Sequence, residues 1–451
     1  MKSQDLPLSR NSNNSARLLL LTPESFNRVT GGGVTLSNLL AGWPIDQIAT
    51  IHSDRVPEAK DVCNHYYNLT DNEIHRWGVL KYLLPKTHSK HVKLYSRQLT
   101  GRRWVKSTLK YIKTMIFGDG IPEQVHLTPE LCAWIDAFQP TVLYTTLGSN
   151  AMMELAECLR IQFRLPLVIH IMDDWVSVIY RGGLLSPWQS KKKERLFQHM
   201  MEVATARFAI SDEMVEAYRQ RYGQIFQSFQ NAIDIDAWQQ FRKNPVVVGS
   251  PVRIAYIGSV FPNAQLKSLR DICNAVQELH DEHFPISLEI YSPRHLAEQY
   301  QEQLVIGTAI SLYDTISDDI SFFSTLQAVD ILVLPVNFDR DTIEFIRYSM
   351  PTKVPAYLAV GTPILAYGPA DVAQIAYAIK SGWAMTVTAP DMEQLKQAFR
   401  TLATDMTVRE RISGCARAAA AGKHDAKYVR LGFQSALALA SVHSTARTYA
   451  E

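Results

Sequence analysis

Short apolar runs, each followed by turn chemistry and then by a stretch of helical period, set the rhythm of this chain. Residues 17–22 (RLLLLT) are apolar without alternation, the pattern of a strand covered on both faces. Gly31, Gly32 and Gly33 follow as a glycine loop, and 34–40 have the spacing of a helix. The same alternation returns with strands at 141–145 (TVLYT), 167–172 (LVIHIM) and 207–210, and helices at 151–160 and 194–203. Ser211 reads as the cap of a helix that starts at Asp212.

Residues 241–251 hold two prolines and a glycine and have no helical period, so the domain boundary is expected there. A second series starts at 252–258 (VRIAYIG), continues with a helix over 266–280, and has strands at 287–291, 331–335 (ILVLP) and 363–366. A helix is expected over 352–359, and helices fill most of 392–440. Strands alternating with helices in both halves predict an α/β fold of two doubly wound parallel sheets, with ligands at the carboxyl ends of the strands and in the cleft between the domains. The expected division is a disordered lead-in over 1–16, an N-terminal domain over 17–245 and a C-terminal domain over 252–451, the last helix crossing back to the first domain.

Length supports two cores, since one core rarely grows past about 300 residues; the chain has 451. Its formal charge of +2, with 47% hydrophobic residues, points to no particular partner. Five scattered cysteines without a CxxC spacing argue against a disulfide framework or structural zinc, and for a reducing compartment. The polar start has no apolar core of a signal peptide, and no run reaches the ~20 residues of a membrane span. A cytoplasmic protein is expected, with any membrane contact peripheral. Asn68-Leu69-Thr70 is then a glycosylation pattern by letter only.

Charge is unevenly placed. Between Lys81 and Lys113 there are ten Lys or Arg and no Asp or Glu. Arg102, Lys106, Lys110 and Lys113 make one stripe of a helix and Val105, Leu109, Ile112 and Ile116 another, with Arg103 and Trp104 beside them. Such a basic amphipathic helix suits an anionic membrane surface or a diphosphate-linked lipid acceptor. A helix packed on the N-terminal sheet with a solvated basic face has the same pattern, as would a nucleic-acid patch, which is not the expected partner.

The remaining candidates suit chemistry that leaves a diphosphate behind. Its developing charge needs a metal, or cations with helix N-termini and backbone amides. Metal-ligand spacing is absent from the sequence, and Asp339-Arg340-Asp341 matches DxD only by letter. The second series offers cations instead: Gly258 and Ser259 end its first strand and Lys267 lies near the start of the next helix. Ser349, Pro351, Thr352 and Lys353 lead into the helix at 352–359, Pro351 suiting the entry and Thr352 a cap.

Residues 254–259 with Lys267 resemble the diphosphate-binding motif of the retaining glycosyltransferases of family 4, which have the GT-B architecture of two facing Rossmann-like domains. In the same order, the glycine triplet, Ala209-Ile210-Ser211-Asp212, Asn231-Ala232-Ile233-Asp234 and the run from Ser349 through Gly361-Thr362-Pro363-Ile364 resemble further segments of that family, so the likeness spans nearly everything after Arg17. It implies a retaining, metal-independent transferase that needs no cofactor and takes a nucleoside diphosphate sugar to a saccharide or lipid-linked acceptor in surface polysaccharide or glycoconjugate synthesis. Donor contacts would come from Gly258, Ser259, Lys267, Ser349, Pro351, Thr352 and Lys353, with Gly32 and Gly33 facing them across the cleft. Asp173 holds the place of an aspartate that approaches the sugar; His170 either serves as the histidine that precedes it or is a core residue. The family's arginine beside the glycine is Ser259 here, and its two donor-loop glutamates fall on Tyr348 and Ala356. Glu344 is near enough to replace the first. These departures leave two alternatives open: a non-catalytic nucleotide- or sugar-binding subunit, and a nucleotide-sugar epimerase on the same architecture.

Overall fold

The computed structural model describes residues 16–76 and 115–448, with the side chains described up to 442. The basic segment, including Arg102, Arg103, Trp104, Lys106 and Lys110, lies outside the described residues.

The first sheet has seven parallel strands: β1 (Leu18–Leu21), β2 (Ile48–His52), β3 (His65–Asn68), β6 (Val142–Thr145), β7 (Leu167–Ile171), β8 (Ala206–Ala209) and β9 (Gln227–Ser228), in the order β3-β2-β1-β6-β7-β8-β9. A small antiparallel pair, β4 (Ile74–Arg76) with β5 (Glu123–Val125), stands apart. The second sheet has six strands, β10 (Val252–Ile257), β11 (Ile286–Tyr291), β12 (Ile310–Tyr313), β13 (Ile331–Pro335), β14 (Ile364–Tyr367) and β15 (Met385–Val387), in the order β12-β11-β10-β13-β14-β15. Both sheets reverse direction beside their first strand, between β1 and β6 and between β10 and β13. In doubly wound sheets the loops diverge at such a point, and the crevice at the carboxyl ends is where ligands bind.

Strand composition explains the layers. Leu18, Leu19, Leu20 and Leu21 are all fully buried because helices cover both faces of β1. On one face, α1 (Gly31–Leu40) packs with the C-terminal helix α15 (Ala426–Thr448). Its Phe433 and Leu437 join Leu18, Leu20, Leu36, Tyr144 and Phe208 in one core, so the last helix returns to the first sheet. On the other face lie α2 (Pro129–Phe138), α3 (Asn150–Gln162), α4 (Trp175–Val178), α5 (Ser186–Val203) and α6 (Asp212–Tyr222), the last capped by Ser211, which accepts from the Met214 amide at 3.2 Å. Around the second sheet run α7 (Leu266–Asp281), α8 (Arg294–Leu304), α9 (Asp319–Ala328), α10 (Arg340–Ile346), α11 (Val354–Val360), α12 (Ala373–Ser381), α13 (Met392–Thr404) and α14 (Met406–Ala419). In α7, Leu266, Leu269, Cys273, Val276 and Leu279 recur at helical spacing and are buried.

Three local expectations change. The glycine triplet is not a loop before the helix but its first turn, capped by Thr30. The helix expected at 194 starts at Ser186, with Pro187 in the first turn, where its missing N–H costs nothing. The helix expected at 352 starts at Val354, with Pro355 rather than Pro351 in its first turn.

Candidate functional site

The second lobe's crevice is built on the turn that ends β10. Gly258 has φ +147°, a conformation L side chains rarely adopt, and a Cβ there would stand 3.1 Å from the Lys353 ammonium. Lys353 comes in from the loop before α11. Its Nζ donates to the Ile257 carbonyl at 3.0 Å and lies 4.0 Å from the centre of the Tyr256 ring. Desolvation lowers its pKa from 10.5 to about 7, because no carboxylate compensates the burial of its amine. An amine poised between its neutral and charged forms is thus held against the glycine turn.

Lys267 sits across the same switch point, in the first turn of α7 after β10. Its ammonium meets Asp339, which follows β13, at 3.1 Å, and its side chain is 59% exposed. The pair joins the first turn after β10 to the loop after β13, the two strands that flank the switch point. Asp339 caps α10 by accepting from the Thr342 amide, and Lys267 holds its carboxyl below the usual range, after the opposing effect of burial. The acid of the DxD-like run is therefore a cap and an ion-pair partner. Among the described residues, no group of three or more His, Cys, Asp or Glu is placed to hold a metal ion.

The loop between α10 and α11 fastens the lobes together. The Ser349 hydroxyl donates to Asp173 at 2.5 Å, the Ser211 hydroxyl donates to the Tyr348 carbonyl at 2.8 Å, and the Asn231 amide donates to the Thr352 carbonyl at 2.7 Å. Thr352 faces the first turn of α1, where a Cβ on Gly31 would lie 3.7 Å from its methyl group. Thr352 does not cap α11; the capping position falls on Lys353, without a side-chain bond.

Glu24 governs the other wall. Its Oε2 accepts from the Gly33 amide at 2.9 Å and from the Thr30 hydroxyl at 2.8 Å. A Cβ on Gly32 would lie 2.3 Å from that oxygen, and one on Gly33 2.2 Å from the Asn27 amide nitrogen, so a side chain at either position would displace Glu24 or Asn27. Beyond this wall, a cavity of about 340 Å³ opens at the ends of β2 and β3, lined by Ser53, Arg55, Asn68, Thr70 and Asp71 among others. Nothing in the sequence marked Glu24, since an acid seven positions before a glycine triplet has no significance until the loop folds back.

One expected residue is placed elsewhere, and another is already engaged in ion pairs. His170 does not reach the crevice. It is fully buried, its Nδ1 is 2.7 Å from the Tyr144 hydroxyl, and its ring packs on Phe208 and Phe433. Desolvation pushes its pKa down to about 3, so it is a neutral core residue. Glu344 has both oxygens engaged, by Arg181 of the first lobe at 2.7 Å and by Arg340 at 3.0 Å, so its carboxylate spans the lobes. Asp173 is exposed at the end of β7, while neighbouring Asp174 is buried and takes the Tyr218 hydroxyl at 2.6 Å and Arg221 at 3.2 Å.

Two doubly wound parallel-sheet lobes make up the GT-B architecture. Solved structures similar to this one agree. The Anabaena HepE structure in complex with UDP and glucose has a TM-score of 0.58 at 12% identity, over 94% of this chain and 99% of that one. The sucrose-phosphate synthase of Thermosynechococcus elongatus has a TM-score of 0.59 at 14% identity, over 93% and 98%. WaaG, a glycosyltransferase involved in lipopolysaccharide biosynthesis, has 0.55 at 12%, over 93% and 99%. No family model matches the sequence, and no curated protein matches it either.

Proposed function

We propose that this protein is a glycosyltransferase that moves a sugar from a nucleoside diphosphate sugar to a saccharide or lipid-linked acceptor, in surface polysaccharide or glycoconjugate synthesis. The observation that carries the reading is the desolvated Lys353 amine at the Gly258 turn, with no carboxylate beside it, while its neighbour Thr352 lies against the glycine-rich first turn of α1. An anionic diphosphate is the chemistry such a place favours. The solved HepE complexes with UDP and with UDP-glucose support a uridine nucleotide as the first donor to try.

In the proposed reaction the bond between the sugar's anomeric carbon and the diphosphate oxygen breaks, and the electron pair leaves with the diphosphate. The acceptor hydroxyl forms the new glycosidic bond, and its proton passes to the released diphosphate or to solvent. Lys353 stabilises the departing charge from below, and Lys267 exchanges Asp339 for a phosphate oxygen. Ser349, Pro351 and Thr352 shape the donor loop, and Asp173 orients Ser349 beside the sugar. Gly32 and Gly33 keep the facing wall low enough for the donor, and the cavity beside Arg55 receives the acceptor. Retention of configuration and independence of metal belong to this proposal.

Thermal unfolding with a panel of nucleotide sugars tests donor binding, since a ligand of the folded state raises the melting temperature by mass action. Stabilisation by one nucleoside diphosphate sugar, followed by acceptor-dependent release of the nucleoside diphosphate, is expected. No stabilisation by any nucleotide at millimolar concentration would reject the reading. Ala356, buried in α11 where a glutamate would meet the donor, favours one second reading: a binding subunit without turnover. Tight nucleotide binding with neither hydrolysis nor transfer would select it.

A further inference from the structure

The approach to α5 carries an apolar knoll that the crevice does not use. Leu184 is 72% exposed, Trp188 54% and Met115 57%, with Leu185 beside them. They form one surface. The carbonyls of Met115 and Ile116 accept from the amides of Leu184 and Leu185 at 3.0 and 2.8 Å, and Trp188 stands one turn on from Leu184 and Leu185. Large side chains gathered this way mark an interaction site more often than scattered exposure does.

Charge identifies the partner. α5 buries Gln189, Lys193, Phe197 and Met200 against its lobe, and Trp188 projects from the opposite face. Three, four and seven residues on, that same face carries Lys191, Lys192 and Arg195. Lys191 and Arg195 are exposed, and Lys192 meets Glu154 at 2.6 Å. In sequence, the ten-cation run from Lys81 ends at Lys113, two residues before Met115. An exposed indole with leucines and a methionine, bordered by a row of cations, matches the layered chemistry of a bilayer surface. Rings and alkyl chains sit among the acyl boundary while ammonium and guanidinium groups meet phosphates.

We infer that this knoll docks the protein on an anionic lipid bilayer, Leu184, Leu185, Trp188 and Met115 entering the boundary and Lys191 and Arg195 meeting the headgroups. The attachment is peripheral; among the described residues no helix is long and apolar enough to cross a membrane. Arg181, three residues before Leu184, is the residue that pairs with Glu344 of the second lobe. The knoll thus sits at the rim of the interlobe crevice, and docking would set that rim against the surface where a lipid-linked acceptor resides. Bilayer binding is measured without turnover, so the inference stands or falls apart from the transferase reading.

The full chain is sedimented with vesicles of phosphatidylcholine alone and of phosphatidylcholine mixed with phosphatidylglycerol. Binding to the anionic vesicles is expected, with little to the neutral ones. The double substitution L184S/W188S should weaken it at least tenfold, and K191E/R195E should remove the preference for the anionic lipid, both with unchanged melting temperature and nucleotide affinity. Quenching by brominated lipid that is lost in W188F gives a second readout that needs no destabilising change. Wild-type vesicle binding by L184S/W188S overturns the inference. So does light scattering that shows a wild-type oligomer converted to monomer by that variant, which would make the knoll a contact between copies.

Discussion

The Ser349 hydroxyl meets the Asp173 carboxylate at 2.5 Å, joining the loop before α11 of one lobe to the end of β7 in the other. Neither partner is deeply buried, so the bond contributes less to folding than to the position of the loop. Replacing Ser349 by Ala is expected to leave the melting temperature within about 2 °C, since exposed substitutions cost little stability. The nucleotide affinity should fall about three- to tenfold, in keeping with the loss of a charge-assisted hydrogen bond. Calorimetric titration with UDP checks it, and unchanged affinity would release the pair from any role in donor binding.

Lys353 is expected to make nucleotide binding depend on pH. With its pKa lowered to about 7, the amine is mostly neutral at pH 8, and an arriving diphosphate draws a proton onto it. UDP binding at pH 8 should therefore take up a fraction of a proton, read from calorimetry in buffers of different ionisation enthalpy. Affinity should weaken from pH 7 to 9, and Lys353→Met should flatten the profile.

The same group has a consequence for stability, with the opposite sense from a lysine that gains a partner. Its folded pKa lies below its unfolded one, so between about pH 7 and 10.5 the unfolded chain binds more protons than the folded one. This contribution to stability rises with pH through that window and is at its least favourable below pH 7. Lys353→Met should accordingly raise resistance to urea more at pH 6 than at pH 9. A greater gain at pH 9 would contradict the desolvated amine.

Lys267 offers a different balance. Its pair with Asp339 is exposed and is worth at most about 1 kcal/mol. Lys267→Ala should hardly change the melting temperature yet lower turnover at least about tenfold, as expected on losing a charge that meets the leaving group. Steady-state kinetics with the donor found by the panel is the measurement; full turnover would remove Lys267 from the mechanism.

His170→Ala should do the reverse. It would leave a cavity between Phe208 and Phe433 and strip the Tyr144 hydroxyl of its partner, at a cost of about 2–4 kcal/mol in urea unfolding. Nucleotide affinity of the folded fraction should stay as in the wild type.

The fold was legible because burial on both faces writes unbroken apolar runs such as residues 18–21, and one period distinguishes the helices between them. Edge elements were not. β3 and β12 each have two exposed residues of four, and runs as short as HYYN and ISLY are too brief to set a period. Ser211, with its cap and following helix, could be named in advance because capping is a contact between near neighbours.

What the sequence alone determined is therefore local: two series of strands and helices, the glycines where the backbone must turn tightly, and the supply of lysines near strand ends. Only the tertiary structure decided which of these residues meet. Lys353 reaches the Ile257 carbonyl across 96 positions, Ser349 reaches Asp173 across 176, and Phe433 closes the core around His170 from the far end of the chain. Such pairs depend on how two lobes and a returning helix pack, and on which side of β7 a side chain falls. A histidine one place from a strand end has the same letter whether it faces a ligand or a phenylalanine; the alternation of the pleat, set by what covers each face, made this one core.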